Sequence, residues 1–477
     1  MDKAVRTRMA PSPTGEYHIG HIRTLLYNYA YAKQKGGKFI LRIEDTDRKR
    51  FVKGAQEKIL QVIRDYGFTW DEGPDIGGPY APYVQTERLK IYQKYIDKLL
   101  DCGGAYYCFC SEDRLEKMRE LQKTAGKIPK YDKKCLGLSK EEIEKNIENK
   151  LPYVVRLNIP SNQVIKITDE VRGEIIFNTN DIDDQILVKS NGIPTYHFAA
   201  GIDDHLMDIT HVLRGDEWIS SLPKQYTIYK YLGWELPKFA HLTVFLDPAG
   251  GKMSKRHGSV SARSFLEAGY LPDATLNYLM LLGWNPGTEQ EIFNLDEFIK
   301  VFSIEKLHTK QPVFDRKKLD YFNGYYIRHK DNAELLPYFK KFLPQASDDQ
   351  ITALIPVLKD RLVKFGDLPV QTKFLFEDVD YEADLLLQRG ADKNLAKTML
   401  RQAKVELENL EMFEFDQIQE KLTSLIKING WNVGQFFMIF RVAICGVTQT
   451  PPVVECLPIL GRNKTLNKIE LALAKLK

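Results

Sequence analysis

The sequence predicts an α/β protein built on a parallel sheet, interrupted by a β-rich insertion and continued by a mostly helical C-terminal half. Three observations carry this reading. Short apolar strands alternate with amphipathic helices along the first part of the chain, the pattern of a parallel sheet. β-branched residues then gather in "YVVRLNIP" and "VIKITDEVRGEIIFN". Beyond about Phe314 the chain becomes rich in leucine and lysine at helical spacing. A length of 477 residues fits two or more domains.

Each element follows from its local pattern. "AVRTRMA" is apolar on alternate positions and reads as the first strand, ended by the Pro/Ser/Thr/Gly loop behind it. From Ile19, apolar residues recur at Ile22, Leu25, Leu26, Tyr29 and Ala30, which is helical spacing. "GGKFILRIEDTD" reads as a turn and a second buried strand that runs into carboxylates, and "GAQEKILQVIRDYGF" as another amphipathic helix. Near "AYYCFCSEDRLEKMRELQKTAGKIPKYDKKC" the chain turns charged, helical and cysteine-punctuated. The β-rich stretch then runs through "DQILVKSNGIPTYHFA", and α/β alternation resumes at "ITHVLRGDEW". A glycine-rich basic loop, "DPAGGKMSKRHGSVS", follows. The expected division is 1–105 for the first half of the α/β domain, 106–194 for the insertion, 195–250 for the second half, 251–320 for the basic loop and a connecting domain, and 321–477 for the helical region. There is no internal repeat and no low-complexity segment.

Composition excludes several classes. With 43% hydrophobic and 28% charged residues the chain is of ordinary globular make-up. A net charge of +4 permits a polyanionic partner without arguing for one. "MDKAVRTRMAPSP" has no apolar core of the kind a signal peptide needs. "WNVGQFFMIFRVAICGV" is broken by Gln435 and Arg441, so it reads as a buried helix and not a membrane span. Six cysteines are sparse for this length and suggest a reducing cytoplasm, where clustered thiols point to metal or chemistry.

Two short motifs carry chemistry. His18-Ile19-Gly20-His21 sits where a loop turns into a helix. A helix N-terminus offers unpaired N–H groups and a positive dipole end, a ready anion site. Glycine lets a phosphate approach the backbone, and two imidazoles three residues apart reach the same phosphate. Lys252-Met253-Ser254-Lys255-Arg256 lies on a loop opened by Gly250 and Gly251, and its cations suit a polyphosphate. Alone, the first motif also fits an ordinary loop with surface histidines, and the second a solvated basic loop.

Together the two motifs resemble the paired HIGH and KMSK signatures of class I aminoacyl-tRNA synthetases. "RMAPSPTGEYHIGH", "RIEDTDRKR", "PTYHFAAGIDDHLMDITHVLRGDEW", "KMSKRHG" and "LLGWNPGTEQEIF" resemble the bacterial glutamyl-tRNA synthetase family over nearly the whole chain. The resemblance implies an α/β catalytic Rossmann domain with an inserted α+β acceptor-binding region, and an all-α C-terminal half that binds the anticodon. It implies that glutamate and ATP, with Mg²⁺, react to glutamyl-adenylate and pyrophosphate, and that the glutamyl group passes to tRNA-Glu. Some members also charge tRNA-Gln. In this reading His18 and His21 stabilise the α-phosphate, and Lys252 and Lys255 hold the pyrophosphate. Gly20, Ser254, Glu217 near the ribose and Phe245 at the adenine complete the ATP site. Arg8, Ala10, Ser12, Glu44, Tyr196 and Arg214 form the glutamate site, with Arg214 on the side-chain carboxylate and Glu44 on the ammonium. Plainer alternatives are an Arg214–Asp216 ion pair and a core role for Tyr196. Where several relatives carry asparagine, this chain has Ala200.

The resemblance further implies structural zinc at Cys108, Cys110 and Cys135. Gly137 stands where some relatives have a histidine ligand, so Tyr131 is the candidate fourth donor, and free thiols are the alternative. Cys102, Cys445 and Cys456 read as small core residues. Arg361 aligns with a position that reads the third anticodon base, with a plain surface arginine as the alternative. A monomer in the cytoplasm, without membrane attachment, is expected. Other HIGH-type nucleotidyltransferases are usually shorter and lack the helical half, as does a truncated relative that glutamylates a tRNA base. A glutaminyl-tRNA synthetase would not need Arg214 for an uncharged amide. A tRNA-binding paralogue without activity would have no use for the pyrophosphate lysines.

Overall fold

The computed structural model describes residues 3–251, 253 and 260–477. The chain forms two units, one of Met1–Ser264 with Leu276–Asp315 and one of Phe265–Thr275 with Arg316–Lys477.

In the first unit, β1 (Arg6–Met9) and β2 (Lys38–Leu41) pair in parallel, with Arg6 opposite Lys38 and Met9 opposite Leu41. The crossover between them is α1 (Ile19–Gln34), which buries Ile19, Ile22, Leu25, Leu26 and Ala30 along one face. Next come α2 (Ala55–Asp65), α3 (Leu89–Asp101), β3 (Ala105–Cys108), α4 (Glu112–Thr124) and α5 (Lys140–Glu148). Ser139 and Glu142 form a reciprocal capping box that starts α5. Then follow β4 (Val154–Leu157), β5 (Val164–Asp169), β6 (Gly173–Asn178) and β7 (Ile186–Val188). Alternation resumes with α6 (Tyr196–Leu206), β8 (His211–Gly215), α7 (Leu222–Leu232) and β9 (Lys238–Leu242).

The β-rich middle of the chain contributes to two sheets. Strands β3, β4 and β7 form an antiparallel sheet in that order. The β5–β6 hairpin instead joins the parallel pair β8–β9, giving the order β6-β5-β9-β8. Burial along β5 alternates strictly, with Ile165, Ile167 and Asp169 inward. β1 is tied to the start of β8 through Thr210, whose amide donates to the Arg6 carbonyl at 3.0 Å. Parallel strands leave their carboxyl ends free to carry a ligand site. Here those ends bear Arg8, Glu44, Arg214 and Thr243.

The second unit is helical from Arg316–His329 to Arg462–Lys475. Its core gathers Leu335, Phe339, Leu354, Phe365, Leu400, Leu407, Ile439 and Leu457. The apolar segment near the C-terminus is the helix Val433–Cys445, buried along Phe436, Ile439, Phe440 and Ile444. Among the described residues no helix is long and apolar enough to cross a membrane. Cys445 and Cys456 lie in this core. Cys102, expected in a core, is exposed instead, because it caps α3 where the chain turns outward through Gly103.

Candidate active site and a cysteine cluster

A cleft of about 860 Å³ opens in the first unit at the strand ends. It is lined by Arg8, Ala10, Ser12, His18, Gly20, His21, Glu44, Tyr196, Arg214, Glu217 and Phe245. The two motif regions of the sequence meet here. Lys252, Ser254 and Lys255 lie outside the described residues, while their neighbour Met253 lines the cleft. The segment after the basic loop is pinned to the first motif. Ile19 donates its amide to the Val260 carbonyl at 2.9 Å, and Ala262 to that of Tyr17 at 2.7 Å.

His18 is the N-cap of α1. Its Nδ1 accepts from the Gly20 amide at 2.9 Å, which satisfies one of the helix's otherwise open donors. That bond places the proton of the neutral ring on Nε2, which makes Nε2 the donor. A Cβ at Gly20 would stand 3.1 Å from His18 Nδ1 and 3.7 Å from Phe245, so glycine preserves the cap as well as access to the backbone. The His18 and His21 rings lie 6.1 Å apart. Phe245 is buried under Arg23, whose guanidinium carbon is 4.2 Å from the ring centre.

The glutamate-type residues sit on a buried ionic network. Arg8 donates to Asp204 through Nε at 3.0 Å and Nη2 at 3.3 Å. Arg42, with no exposed surface, donates to Asp204 at 2.8 Å and to Glu44 Oε1 at 2.8 Å. Arg88 donates to Asp203 at 2.7 Å. Burial opposes ionisation of Asp204, but Arg8 and Arg42 hold its carboxyl below the ordinary range. Burial pushes the Glu44 carboxyl up to about 7, against the pull of Arg42. Its second oxygen, Oε2, is buried with no hydrogen-bond partner among the described residues.

Arg214 differs from Arg8, Arg42 and Arg88. It is only 4% exposed, and its Nε donates to His241 Nε2 at 3.1 Å and its Nη2 to Gln225 at 2.9 Å. No carboxylate pairs with it, and Nη1 has no hydrogen-bond partner among the described residues. The ion pair with Asp216 does not form, since Asp216 pairs with Arg172 at 2.9 Å. Tyr196 is half-buried in the cleft wall, its ring 4.3 Å from that of Trp218. Burial, followed by Glu44, pushes its phenol up to about 12. Ala200 is buried on α6 and does not line the cleft.

Sequence reasoning missed Arg23, Arg42, Asp203, Asp204 and His241. A signal for three of them was present. Arg42 stands two residues before Glu44 just past β2, and Asp203-Asp204 are two acids inside the apolar helix "FAAGIDDHL".

The cysteine cluster forms away from the cleft. The sulfurs of Cys108, Cys110 and Cys135 all lie within 4.8 Å of one another, with Cys110 and Cys135 at 3.5 Å. Tyr131 Oη is 3.4 Å from Cys110 Sγ and accepts from the Cys135 amide at 3.0 Å. Arg114 donates to Cys110 Sγ at 3.5 Å, and the Arg156 guanidinium stands 4.1 Å over the Tyr131 ring. Arg361 is exposed in the helical unit, just past the helix Asp348–Leu358.

Comparison with known proteins agrees with this geometry. Residues 4–321 match the model of the class I tRNA synthetase catalytic domain of the E and Q type, and residues 333–473 match an anticodon-binding domain. A glutamate–tRNA ligase of Clostridium tetani is 42% identical over 480 residues, covering 99% of this chain and 98% of its own. One of Clostridioides difficile is 42% identical over 489 residues, covering 98% of each. The crystal structure of a glutamate tRNA ligase from Elizabethkingia meningosepticum in complex with its amino acid superposes with a TM-score of 0.88 at 36% identity, covering 100% of both chains. That of a glutamate-tRNA synthetase from Elizabethkingia anophelis gives a TM-score of 0.87 at 36% identity, covering 99% of this chain and 100% of the other.

The His18 cap makes one prediction about Gly20. Gly20→Ala should shift the His18 imidazole by a few tenths of an ångström and weaken its cap bond. A crystal structure of the variant with His18 unmoved would refute the account.

Proposed function

This chain belongs to the class I glutamate–tRNA ligases, and we propose that its cleft joins L-glutamate to ATP and then transfers the glutamyl group to the 3′ end of tRNA-Glu. The observation that carries the reading is the pairing of Arg214 with Glu44. One is a buried cation with an open donor, the other a buried carboxyl with an open acceptor, and both face one cleft. Glutamate brings a side-chain carboxylate for Arg214 and an ammonium for Glu44 Oε2. Arginine's planar fork suits the carboxylate. Arg8, Ala10, Ser12 and Tyr196 complete the amino-acid site. Glutamine would leave the Arg214 charge without a counter-charge, which a desolvated site punishes.

In the first step an α-carboxylate oxygen of glutamate attacks the α-phosphorus of ATP. The bond to the bridging oxygen breaks, and pyrophosphate leaves with the electron pair. Charge grows on the α-phosphoryl oxygens. The amides opening α1, the Nε2–H of His18 and the ring of His21 are assigned to stabilise it. Lys252, Ser254 and Lys255 are assigned to the leaving pyrophosphate on their motif alone. Glu217 serves the ribose, and Phe245, braced by Arg23, serves the adenine. Mg²⁺ accompanies the ATP phosphates and needs no dedicated cage of side chains. In the second step a terminal ribose hydroxyl attacks the glutamyl carbonyl, the bond from that carbon to the phosphate oxygen breaks, and AMP departs with the electron pair while the hydroxyl proton passes to its phosphate. No covalent enzyme intermediate is required, so catalysis is positioning and electrostatics.

The helical unit serves as the anticodon reader, with Arg361 assigned to the third base. Six reduced cysteines suit the cytoplasm, and the working form is a monomer. The cysteine cluster fits structural zinc. Thiolates bound to one tetrahedral zinc at ~2.3 Å lie about 3.8 Å apart, near the Cys110–Cys135 separation of 3.5 Å. Cys108, Cys110, Cys135 and Tyr131 would hold the ion, with Arg114 and Arg156 offsetting the negative charge of the donor set. The ion would fasten the end of β3 to the turn at Cys135.

Labelled glutamate, ATP and purified tRNA-Glu and tRNA-Gln test the reading side by side. Product on tRNA-Glu is expected. Product on tRNA-Gln as well would make the enzyme non-discriminating, and product on neither refutes the function. Arg214→Ala should cost about 30-fold or more in kcat/KM for glutamate, the scale of an unpaired buried charge. Unchanged glutamate dependence would remove Arg214 from the site. Because the Glu44 carboxyl is raised to about 7, it takes up a proton as pH falls through that value and stops accepting from the ammonium. The kcat/KM for glutamate should therefore fall from pH 8 towards pH 6, and Glu44→Gln should abolish that inflection. A profile that keeps it in the variant assigns the titration elsewhere. Metal analysis of the purified chain should find one zinc, reduced by Cys110→Ser. Protein that carries none when made in zinc-replete medium identifies the four as plain reduced side chains.

A further inference from the structure

Arg214 needs more than burial to present Nη1 to the cleft. Its guanidinium is held from behind. On the adjacent strand β9, His241 sits directly opposite Arg214 in the parallel register. The Arg214 Nε–H donates to His241 Nε2 at 3.1 Å. An arginine Nε carries a hydrogen at every accessible pH, so His241 Nε2 must be the acceptor. The ring proton therefore resides on Nδ1. That nitrogen stands 2.6 Å from Asp169 Oδ2.

Asp169 is placed there by the strand pattern. It occupies the third inward position of β5 after Ile165 and Ile167, where an apolar side chain would be expected. Its other oxygen, Oδ1, accepts from the Val171 and Arg172 amides at 3.0 and 2.9 Å. Asp169, His241 and Arg214 are all buried, and the first two have no exposed side-chain surface. Burial holds His241 below the ordinary imidazole range although Asp169 opposes it, so the ring stays neutral and its tautomer matters.

We propose that Asp169 and His241 are positioning residues for amino-acid selection: Asp169 fixes the His241 tautomer, and His241 in that tautomer aims Arg214 at the side-chain carboxylate of the substrate. The inference rests on Arg214 holding that carboxylate. It makes the β5–β6 hairpin, which precedes β8 and β9 in the chain, part of the specificity apparatus.

The chemistry gives the two residues distinct signatures. In Asp169→Asn the amide oxygen is drawn to the Oδ1 position, where two backbone N–H groups require an acceptor. The new NH₂ then faces His241 Nδ1. The ring proton moves to Nε2 and meets the Arg214 Nε–H, donor against donor. His241→Gln behaves differently, because its Oε1 reaches the place of Nε2 and can still accept from Arg214. His241→Asn is too short to do so.

Steady-state charging by the full-length chain on tRNA-Glu tests this, with glutamate and ATP varied in turn and folding checked by circular dichroism. His241→Asn and Asp169→Asn should each raise the glutamate KM by about tenfold or more while the ATP KM stays within about twofold. His241→Gln should recover most of that loss. Equal damage from His241→Gln and His241→Asn, or a parallel rise in the ATP KM, would mean a packing role and overturn the proposal. If His241→Asn does not fold, Asp169→Asn against His241→Gln decides on the same criteria. Arg214→Ala separates the two levels of failure. Impaired glutamate use there, with wild-type KM values in His241→Asn and Asp169→Asn, overturns the relay alone. Unchanged glutamate use in Arg214→Ala overturns the pocket on which the relay rests.

Discussion

Six charges buried beneath the cleft are the constraint from which the rest of the first unit follows. Arg8, Arg42 and Arg88 face Glu44, Asp203 and Asp204 with almost no exposed surface. Ions removed from water are tolerated only when opposite charges and hydrogen bonds replace the solvent. Here three guanidinium groups meet three carboxylates. The partners come from β1, from the end of β2, from the segment before α3 and from α6. Their pairing therefore fixes how those elements stand around the cleft, with a directionality that apolar packing lacks.

That balance gives Arg214 its meaning. Its buried guanidinium has no carboxylate partner among the described residues and is held by neutral groups, His241 and Gln225. Arg214 thus brings the cleft a positive charge that no carboxylate among the described residues pairs with. A ligand with two carboxylates and one ammonium brings one net negative charge and cancels it. The neutral amide analogue cannot. In the proposed pocket, selection would be a matter of charge as well as shape.

The phosphate end of the cleft uses a different device. There the backbone supplies the positive potential, through the opening turn of α1, and the side chain of His18 organises that turn by capping it. Gly20 serves both purposes, since a side chain there would crowd the cap and block the approach. The helical unit is built on other physics. It has its own apolar core, from Leu335 to Leu457.

The sequence determined the secondary elements and the cleft's inventory. Period-2 and period-3.6 patterns placed β1, α1, β2 and α2, because burial on one face leaves a periodic trace in the chain. The motifs named His18, Gly20, His21, Glu44, Tyr196 and Arg214, all of which line one cleft. Only the tertiary structure decided how those groups are charged and aimed. Arg214 proved free of Asp216, Glu44 proved half committed to Arg42, and a third inward residue of a hairpin proved to stand 2.6 Å from a histidine on another strand. The physical reason is that pairing energy and desolvation depend on distances across the fold. Partners such as Arg8 and Asp204, or Asp169 and His241, are far apart in sequence, and nothing in local periodicity records that they meet.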